Sequence, residues 1–467
     1  MQCCAVLFFL YTIPMLQRVR EWLVLVLIVL LPFHAFLVTV GTRLLVGPGH
    51  APLPWFAGWK EMLLVVVLVV VILEIIYSLL AVPRTELCSG AGVPRYPLFF
   101  DVLDWLILGM LVLGMAVSIF NFLYGFKYTL FPLFLFLVLR RVRWSERFLL
   151  LTSYFLLPVG AVVAGYGILT LFLPEFFFTW LGYSDLHSLY LPDGPIAAFQ
   201  KIEGTSIRRI QSTFSGPNQL GVWLLIPFSV AIVECIRRKL VGYWVIGLLG
   251  AALLLTFSRA AWIGAAVILL MSVWLYVPNM RKLLGYWVIG LLGVVVVGAV
   301  AFPEIFLREV STSGHWRRPM EAVRLIAAHP WGLGLGSAGP AQNRLSDSCV
   351  FLAEGADTSW AKDRPNLCVF LGDQQVQPVG RTCTCPLLPE NWYLQVGVEL
   401  GVLGMMLFVT LVVLLIFRLL PTSYFLLPFV GVSVAALFLH AWEDSAVSYT
   451  VWVLLASAIP VRHRILR

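Results

Sequence analysis

Charge is what this sequence has least of. Only 12% of its 467 residues are Asp, Glu, Lys or Arg, and 60% are hydrophobic. A soluble domain carries about 25% charged residues, so a water-soluble globule is excluded and the chain reads as an integral membrane protein. DxD pairs and other acidic clusters of the kind that hold a metal and a nucleotide sugar are missing. No basic run is interleaved with stacking aromatics, which argues against a nucleic-acid partner despite the net charge of +8. CxxC pairs and ordered His spacings are missing too, which weakens a zinc reading. Nor does the chain open with a charge-first apolar leader. Met1–Leu16 is apolar, but Arg18 and Arg20 follow it, the reverse of a cleavable signal. That run is short of the ~20 residues a span needs and reads as an interfacial or re-entrant start.

What is there is a series of apolar runs. Twelve candidate spans fall at 21–42, 62–82, 102–121, 124–139, 148–173, 218–236, 240–256, 260–278, 283–302, 391–417, 423–440 and 446–460. The expected fold is all-α: a polytopic membrane protein of about twelve transmembrane helices, with one large loop between late spans. Basic residues crowd into a few short connections: Arg140, Arg141, Arg143 and Arg147; Arg237, Arg238 and Lys239; Arg281 and Lys282; Arg418; and the tail Arg462, His463, Arg464, Arg467. An even number of spans separates each from the next. All therefore lie on one side, the cytoplasm, with both termini there. The other side receives 174–217, the Ser258–Arg259 turn, 303–390 and the Trp442-Glu443-Asp444 turn. Three regions follow: spans one to nine with an external loop (1–302), the large external loop (303–390), and the last three spans with the tail (391–467). GYWVIGLLG occurs at 242–250 and 285–293, and TSYFLLP at 152–158 and 422–428. Parallel transporter-type repeats and local low-complexity duplication both fit these short echoes.

External arginines are the informative signal, because Lys and Arg are depleted from short non-cytoplasmic loops. Arg208 and Arg209 precede a span, Arg259 sits in a short turn, and Arg308, Arg317, Arg318 and Arg324 lie in the large loop. Arg suits two-pronged recognition of phosphate. Three segments delivering it to one face predict an anion site, although arginine can also snorkel to headgroups. Ser215-Gly216-Pro217-Asn218 opens a helix whose first amides could assist. His329–Pro340 is Gly-rich, and no strand–helix unit surrounds it as in a dinucleotide fingerprint. His315 and His329 can titrate near neutrality or serve as loop structure. Glu390, before Asn391, reads as a general base or as an acid favoured by a helix start. Glu74, Asp104 and Glu399 lie within spans, as proton-relay groups or as packed, paired polar groups. Cys349, Cys368, Cys383 and Cys385 suggest one or two disulfides in the large loop, with pairing open.

Four motifs in order carry a resemblance: Arg209…Phe214-Ser215-Gly216-Pro217-Asn218; Thr256-Phe257-Ser258-Arg259-Ala260-Ala261-Trp262; His329-Pro330…Gly332…Gly334…Gly336; and Glu390-Asn391…Tyr393-Leu394…Glu399-Leu400-Gly401…Gly404. Over roughly 205–415 the chain resembles the O-antigen ligase and polymerase family of bacterial inner-membrane proteins. The resemblance implies about twelve spans, a large periplasmic loop, and a glycosyltransferase that needs no metal or other cofactor. Its donor would be a glycan on polyprenyl (undecaprenyl) pyrophosphate and its acceptor a lipid, glycan or protein. Arg209 and Arg259 would hold the pyrophosphate and Glu390 would serve the acceptor hydroxyl, where many ligases carry His. Arg208, Asn218, Arg317, Arg318, Arg324, His329 and Asn391 would bind substrate around them. The alternative from another class is a transporter or flippase of lipid-linked saccharides.

Overall fold

A computed structural model describes residues 2–47, 50, 52–88, 100–118, 122–184, 200–202, 205–238, 242–277, 284–301, 303, 309–344, 346–352, 354–362, 364–420 and 425–461. Arg308, Arg281, Lys282, Lys239 and the tail 462–467 lie outside them. The side chains of Cys3, Cys4, Cys88, Arg238 and His315 also lie outside the description.

The chain is helical nearly throughout. The helices are α1 (Gln2–Leu30), α2 (His34–Val46), α3 (Pro54–Ala57), α4 (Trp59–Cys88), α5 (Val102–Val117), α6 (Phe122–Thr129), α7 (Phe131–Leu139), α8 (Glu146–Leu169), α9 (Glu175–Trp180), α10 (Pro217–Arg238), α11 (Tyr243–Leu255), α12 (Arg259–Tyr276), α13 (Leu284–Ala301), α14 (Glu309–Ala328), α15 (Trp392–Leu419), α16 (Leu426–Ala435) and α17 (Ser445–Ala458). Each of the twelve expected spans contains one of them. By length and apolarity alone six helices can cross a membrane, seven if the bent pair α6–α7 counts as one. Four shorter apolar helices, α5, α11, α16 and α17, account for expected spans that fall below that length. The chain is thus an all-α polytopic membrane protein, with the count of twelve left as an expectation. The start differs from the reading above: 2–16 is no separate re-entrant piece, because α1 runs unbroken through Pro14.

Caps fix several helix starts. Asp101 and Asp104 form a capping box on α5. Ser145, Asn391 and Asp444 cap α8, α15 and α17 with side-chain oxygens. Each satisfies amides that have no partner inside the helix. α10 is the most enclosed span and packs on α8, α11, α12 and α16; α5 packs on α15, α1 on α4 and α17 on α7. The buried ring of Phe429, Trp442 and Trp452 ties the last two helices together. On α4, Val65, Val69, Ile72 and Ile76 are exposed on one face, as lipid-facing residues should be.

Two of the basic connections, and the residue that precedes the tail, meet at one end of the bundle. Buried Arg140 bonds Asp101 and Asp104 at 2.8–2.9 Å. Arg418 reaches Asp101 at 2.6 Å, and Val461 N donates to Arg140 O at 3.1 Å. Nearby on α1, Arg20 pairs with Glu74 at 2.9 Å, both fully buried, and also bonds Arg143 O. Asp104 and Glu74 are therefore packed, paired groups, the second of the two readings weighed for them.

The large loop holds α14, a Gly-rich turn and a small sheet. β3 (Cys349–Leu352) pairs parallel with β4 (Cys368–Leu371), which pairs antiparallel with β5 (Gln374–Gln377). A separate two-stranded ladder joins β1 (Gln200–Lys201) to β2 (Arg208–Arg209). β3 and β4 are the same tetrapeptide, CVFL, aligned residue for residue, with Phe351 stacked on Phe370 at 4.9 Å. Disulfides join Cys349 to Cys385 and Cys368 to Cys383, which fixes the pairing that spacing left open.

Candidate active site

The site is built where three long helices begin. α10 starts at Pro217, α12 at Arg259 and α15 after Asn391. α10 and α12 touch through their first turns. A Cβ on Gly221 would lie 2.9 Å from Ala261 Cβ and 3.1 Å from Thr256 Oγ1, so only glycine allows that approach. Helix N-termini carry unsatisfied amides and a positive dipole end, so this face favours an anion before any side chain is counted.

Side chains add to that field. Arg209, on β2, donates from Nε to Thr256 O at 2.9 Å, from Nη2 to Asn218 Oδ1 at 2.8 Å and from Nη1 to Gln200 Oε1 at 3.4 Å. Those bonds tie it to the first turn of α10 and to the turn that carries Arg259. Ile210 N donating to Leu255 O at 3.2 Å holds the same two segments together. Arg318, on α14, pairs with Glu390, and the Glu390 carboxylate also acts electrostatically on Arg259. Arg318 is thus paired with Glu390, and Arg209 is tied to the turn that leads into Arg259.

The backbone is under tension in the same place. Three described non-glycine residues have positive φ: Ser212 (51°), Phe257 (50°) and Glu390 (52°). Phe257 lies two residues before Arg259, Ser212 three after Arg209, and Glu390 is the carboxylate itself. Such conformations cost about 1–3 kcal/mol each and persist only where surroundings enforce them.

The remaining expected residues divide. Arg208 turns to Glu175 on α9 at 2.9 Å. Arg317 pairs with Asp373, beside β4, at 3.2 Å, both exposed. Arg324 and His329 are exposed at the end of α14. Asn391 is occupied by structure: Oδ1 accepts from Leu394 N at 3.0 Å and Nδ2 donates to Leu437 O at 2.9 Å. Gln200 was absent from the sequence reading, and Phe257 stood in it only as a motif residue without a role. Nothing in the local sequence marks Gln200; only the partner segment does.

The Gly-rich turn behaves unlike an ordinary loop. α15 is broken at Gly401, where φ is 72° and ψ −175°. The turn fills the break: Leu333 N donates to Val398 O at 2.8 Å, Gly334 N to Glu399 O at 3.0 Å, and Val402 N to Pro330 O at 2.9 Å. A Cβ on Gly332 would stand 2.4 Å from Glu399 O, and one on Gly401 2.2 Å from Pro330 O. Backbone meets backbone here, which is why glycine is needed. Buried Glu399 accepts from Thr129 Oγ1 at 2.8 Å and from Gly336 N at 3.0 Å. The turn is thereby anchored to α15, and its irregular backbone is satisfied by protein.

One trio of possible metal ligands occurs among the described residues, Asp347 with Cys368 and Cys383. The two sulfurs are bonded to each other, so neither is a thiolate and the trio fits no zinc.

Comparison with known proteins bears on this geometry. Residues 244–360 match the family model described as O-antigen ligase. The match includes Arg259, Arg317, Arg318, Arg324 and His329, while Arg209, Asn218 and Glu390 fall outside it. It supports the place in the O-antigen ligase and polymerase family that the motifs led us to expect. No curated protein matches the chain.

Proposed function

We propose that the protein is a membrane glycosyltransferase that moves a glycan from a polyprenyl pyrophosphate to a lipid, glycan or protein acceptor at the periplasmic face. The family match supports a glycan-transferring membrane ligase in general; donor, acceptor and face are our reading. The observation that carries it is the meeting of Arg209, Arg259 and Arg318 with Glu390 where α10, α12 and α15 begin.

In this reading the diphosphate lies across the N-termini of α10 and α12. Arg209 and Arg259 meet the charge that grows on the leaving group as the bond to the anomeric carbon breaks. Donors fixed before reaction cost no reorganisation during it. Arg209 is held in place by Thr256 O and Asn218. Glu390 receives the proton of the attacking hydroxyl, and Arg318 orients its carboxylate. The arginines supply the cationic charge that a metal supplies in other phosphate chemistry, so we propose that the reaction needs none.

Transfer from a purified polyprenyl-linked glycan tests the reading. Removing one donor of an electrostatic site typically costs about 10²–10³ in rate. Arg209→Ala and Arg259→Ala should each fall by at least that factor while inserting normally. Transfer at the parent rate in both would overturn the clamp.

The flippase reading draws on the broken helices, α15 at Gly401 and α6–α7 with its 64° bend, since transporters use such breaks to bind substrate. In reconstituted vesicles it predicts movement of lipid-linked glycan between leaflets without any transferred product.

A further inference from the structure

One helix of the large loop exposes more hydrocarbon than a loop in water should. On α14, Trp316, Met320, Val323 and Ala327 are all exposed, Trp316 by 74%. At 3.6 residues per turn they fall within about 60° of arc. The next ~60° holds Arg317, Glu321 and Arg324, also exposed. The far side is the packed one: buried Ala322 and Ile326 meet Val398 and Leu394 of α15. α14 therefore has three faces, one against protein, one charged, and one apolar and bare. Scattered apolar side chains need no explanation, but a contiguous stripe marks a surface that something covers.

The neighbouring structure says what covers it. Exposed Val402, Met406, Val409 and Val413 run down α15 at helical spacing, the lipid-facing stripe of a span. Ala322 and Ile326 sit on Leu394 and Val398, about one to two turns above that stripe. The Gly-rich turn links the two surfaces. Pro330 O accepts from Val402 N at 2.9 Å, and the next residue, Trp331, is 73% exposed. Trp331 thus stands between the end of α14 and the first lipid-facing residue of α15. Tryptophan is favoured at the boundary between hydrocarbon and headgroups, and a helix with an apolar stripe beside a charged one lies in that boundary rather than across it. The charged arc agrees: Arg317 pairs with Asp373 beside the small sheet, both exposed, so that arc looks toward the watery part of the loop.

We propose that α14 is a membrane-surface helix. Trp316, Met320 and Val323 enter the acyl-chain region just beneath the headgroups of the leaflet on the side of the large loop, with Trp331 as a second anchor, and phospholipid is what covers them. A stripe of this kind sinks a helix by about 5–10 Å. Arg318 leaves the same helix toward Glu390, so the lipid surface sets the height of that ion pair. Transfer from a lipid-borne diphosphate needs its carboxylate at that height. This purpose rests on the glycosyltransferase reading; the embedding itself does not.

The probe is a phosphatidylcholine with a diazirine near the carbonyl end of one acyl chain, built into nanodiscs that hold a single full-length protein. After illumination, peptide mass spectrometry locates the adducts. Met406, on the lipid face of α15, is the positive control, and Val379, 95% exposed in the loop, is the negative one. Trp316, Met320 and Trp331 should carry adducts at a level like that of Met406, and Val379 should carry none. Met320→Glu combined with Val323→Glu should lose the adducts at Trp316 while Met406 keeps its own, and thermal unfolding near the parent temperature certifies the fold of that variant. Arg259→Ala should leave the pattern unchanged, which separates this result from loss of the pyrophosphate clamp. Adducts on Met406 with none on α14 would overturn the embedding. So would α14 adducts that polyprenyl phosphate removes without touching Met406, which would give the stripe to the donor's tail. Loss of the α14 adducts in discs that hold two copies would give it to a second chain and overturn the embedding equally.

Discussion

At the scale of single residues, the arginines, Asn218 and Glu390 were legible, and the contacts that join them were not. Arg209 and Arg259 stand out in the sequence because charge is expensive beside hydrocarbon and rare on the outer side. Thr256 and Phe257 stood in a motif, but the carbonyl of the one and the left-handed φ of the other, like the weak amide contact of Gln200, have no one-dimensional signature. Asn391 shows the converse: its place in a motif suggested substrate and said nothing of the cap and tie it makes with Leu394 and Leu437. Glu390→Gln should lower kcat by about 10²–10⁴, the usual worth of a general base, and Glu390→Asp should recover part of it. Rates measured from pH 5 to 9 check this, because a base contributes only above its own pKa. A purely structural Glu390 would give the same loss in Arg318→Ala, together with a lowered unfolding temperature.

At the scale of elements, the sequence placed the helices but hid their interruptions. Trp392–Leu419 reads as one apolar run, and Gly401 looks like any span glycine. The break becomes intelligible only with Pro330–Gly334 lying in it, some seventy residues earlier in the chain. The α6–α7 bend left a fainter trace in Pro132, set in the first turn of α7. Gly332→Ala and Gly401→Ala should each destabilise the protein by about 2 kcal/mol or more, combining a positive φ with a Cβ driven into backbone. Gly285→Ala is the control, because nothing lies within 4 Å of its added Cβ; thermal unfolding in detergent compares the three. The twin CVFL strands also went unread, since four-residue strands in a loop lack the length that makes alternation persuasive.

At the scale of the whole molecule, two of the basic connections that charge counting puts on one side share carboxylate partners. Arg140, Arg141 and Arg418 from separate connections meet at Asp101 and Asp104, whereas Arg209, Arg259 and Arg318 gather around other helix ends. The two ends should answer pH in opposite senses. Burial alone would raise the Asp101 carboxyl, but Arg140 and then Arg418 outweigh it and hold it well below the usual range. Its contribution is present above the ordinary carboxylate pKa and is lost as pH falls through that depressed value. Burial raises the Glu443 carboxyl from 4.5 to about 7, against hydrogen bonds from Gln395 and Ala341. Its contribution is present below 4.5 and fades as pH rises through about 7. Unfolding temperatures across this range should therefore fall toward both extremes, and Glu443→Gln should flatten the neutral limb. The small sheet carries one more implication. Both disulfides close within it, and Cys349 and Cys385 bring its ends to a Cα separation of 5.7 Å. Two chain ends so near can be bridged by a few glycines, so the segment between them is a cassette that can be excised, or traded for another, while the bundle stays whole. If it selects the acceptor, the graft should carry the donor's preference with it.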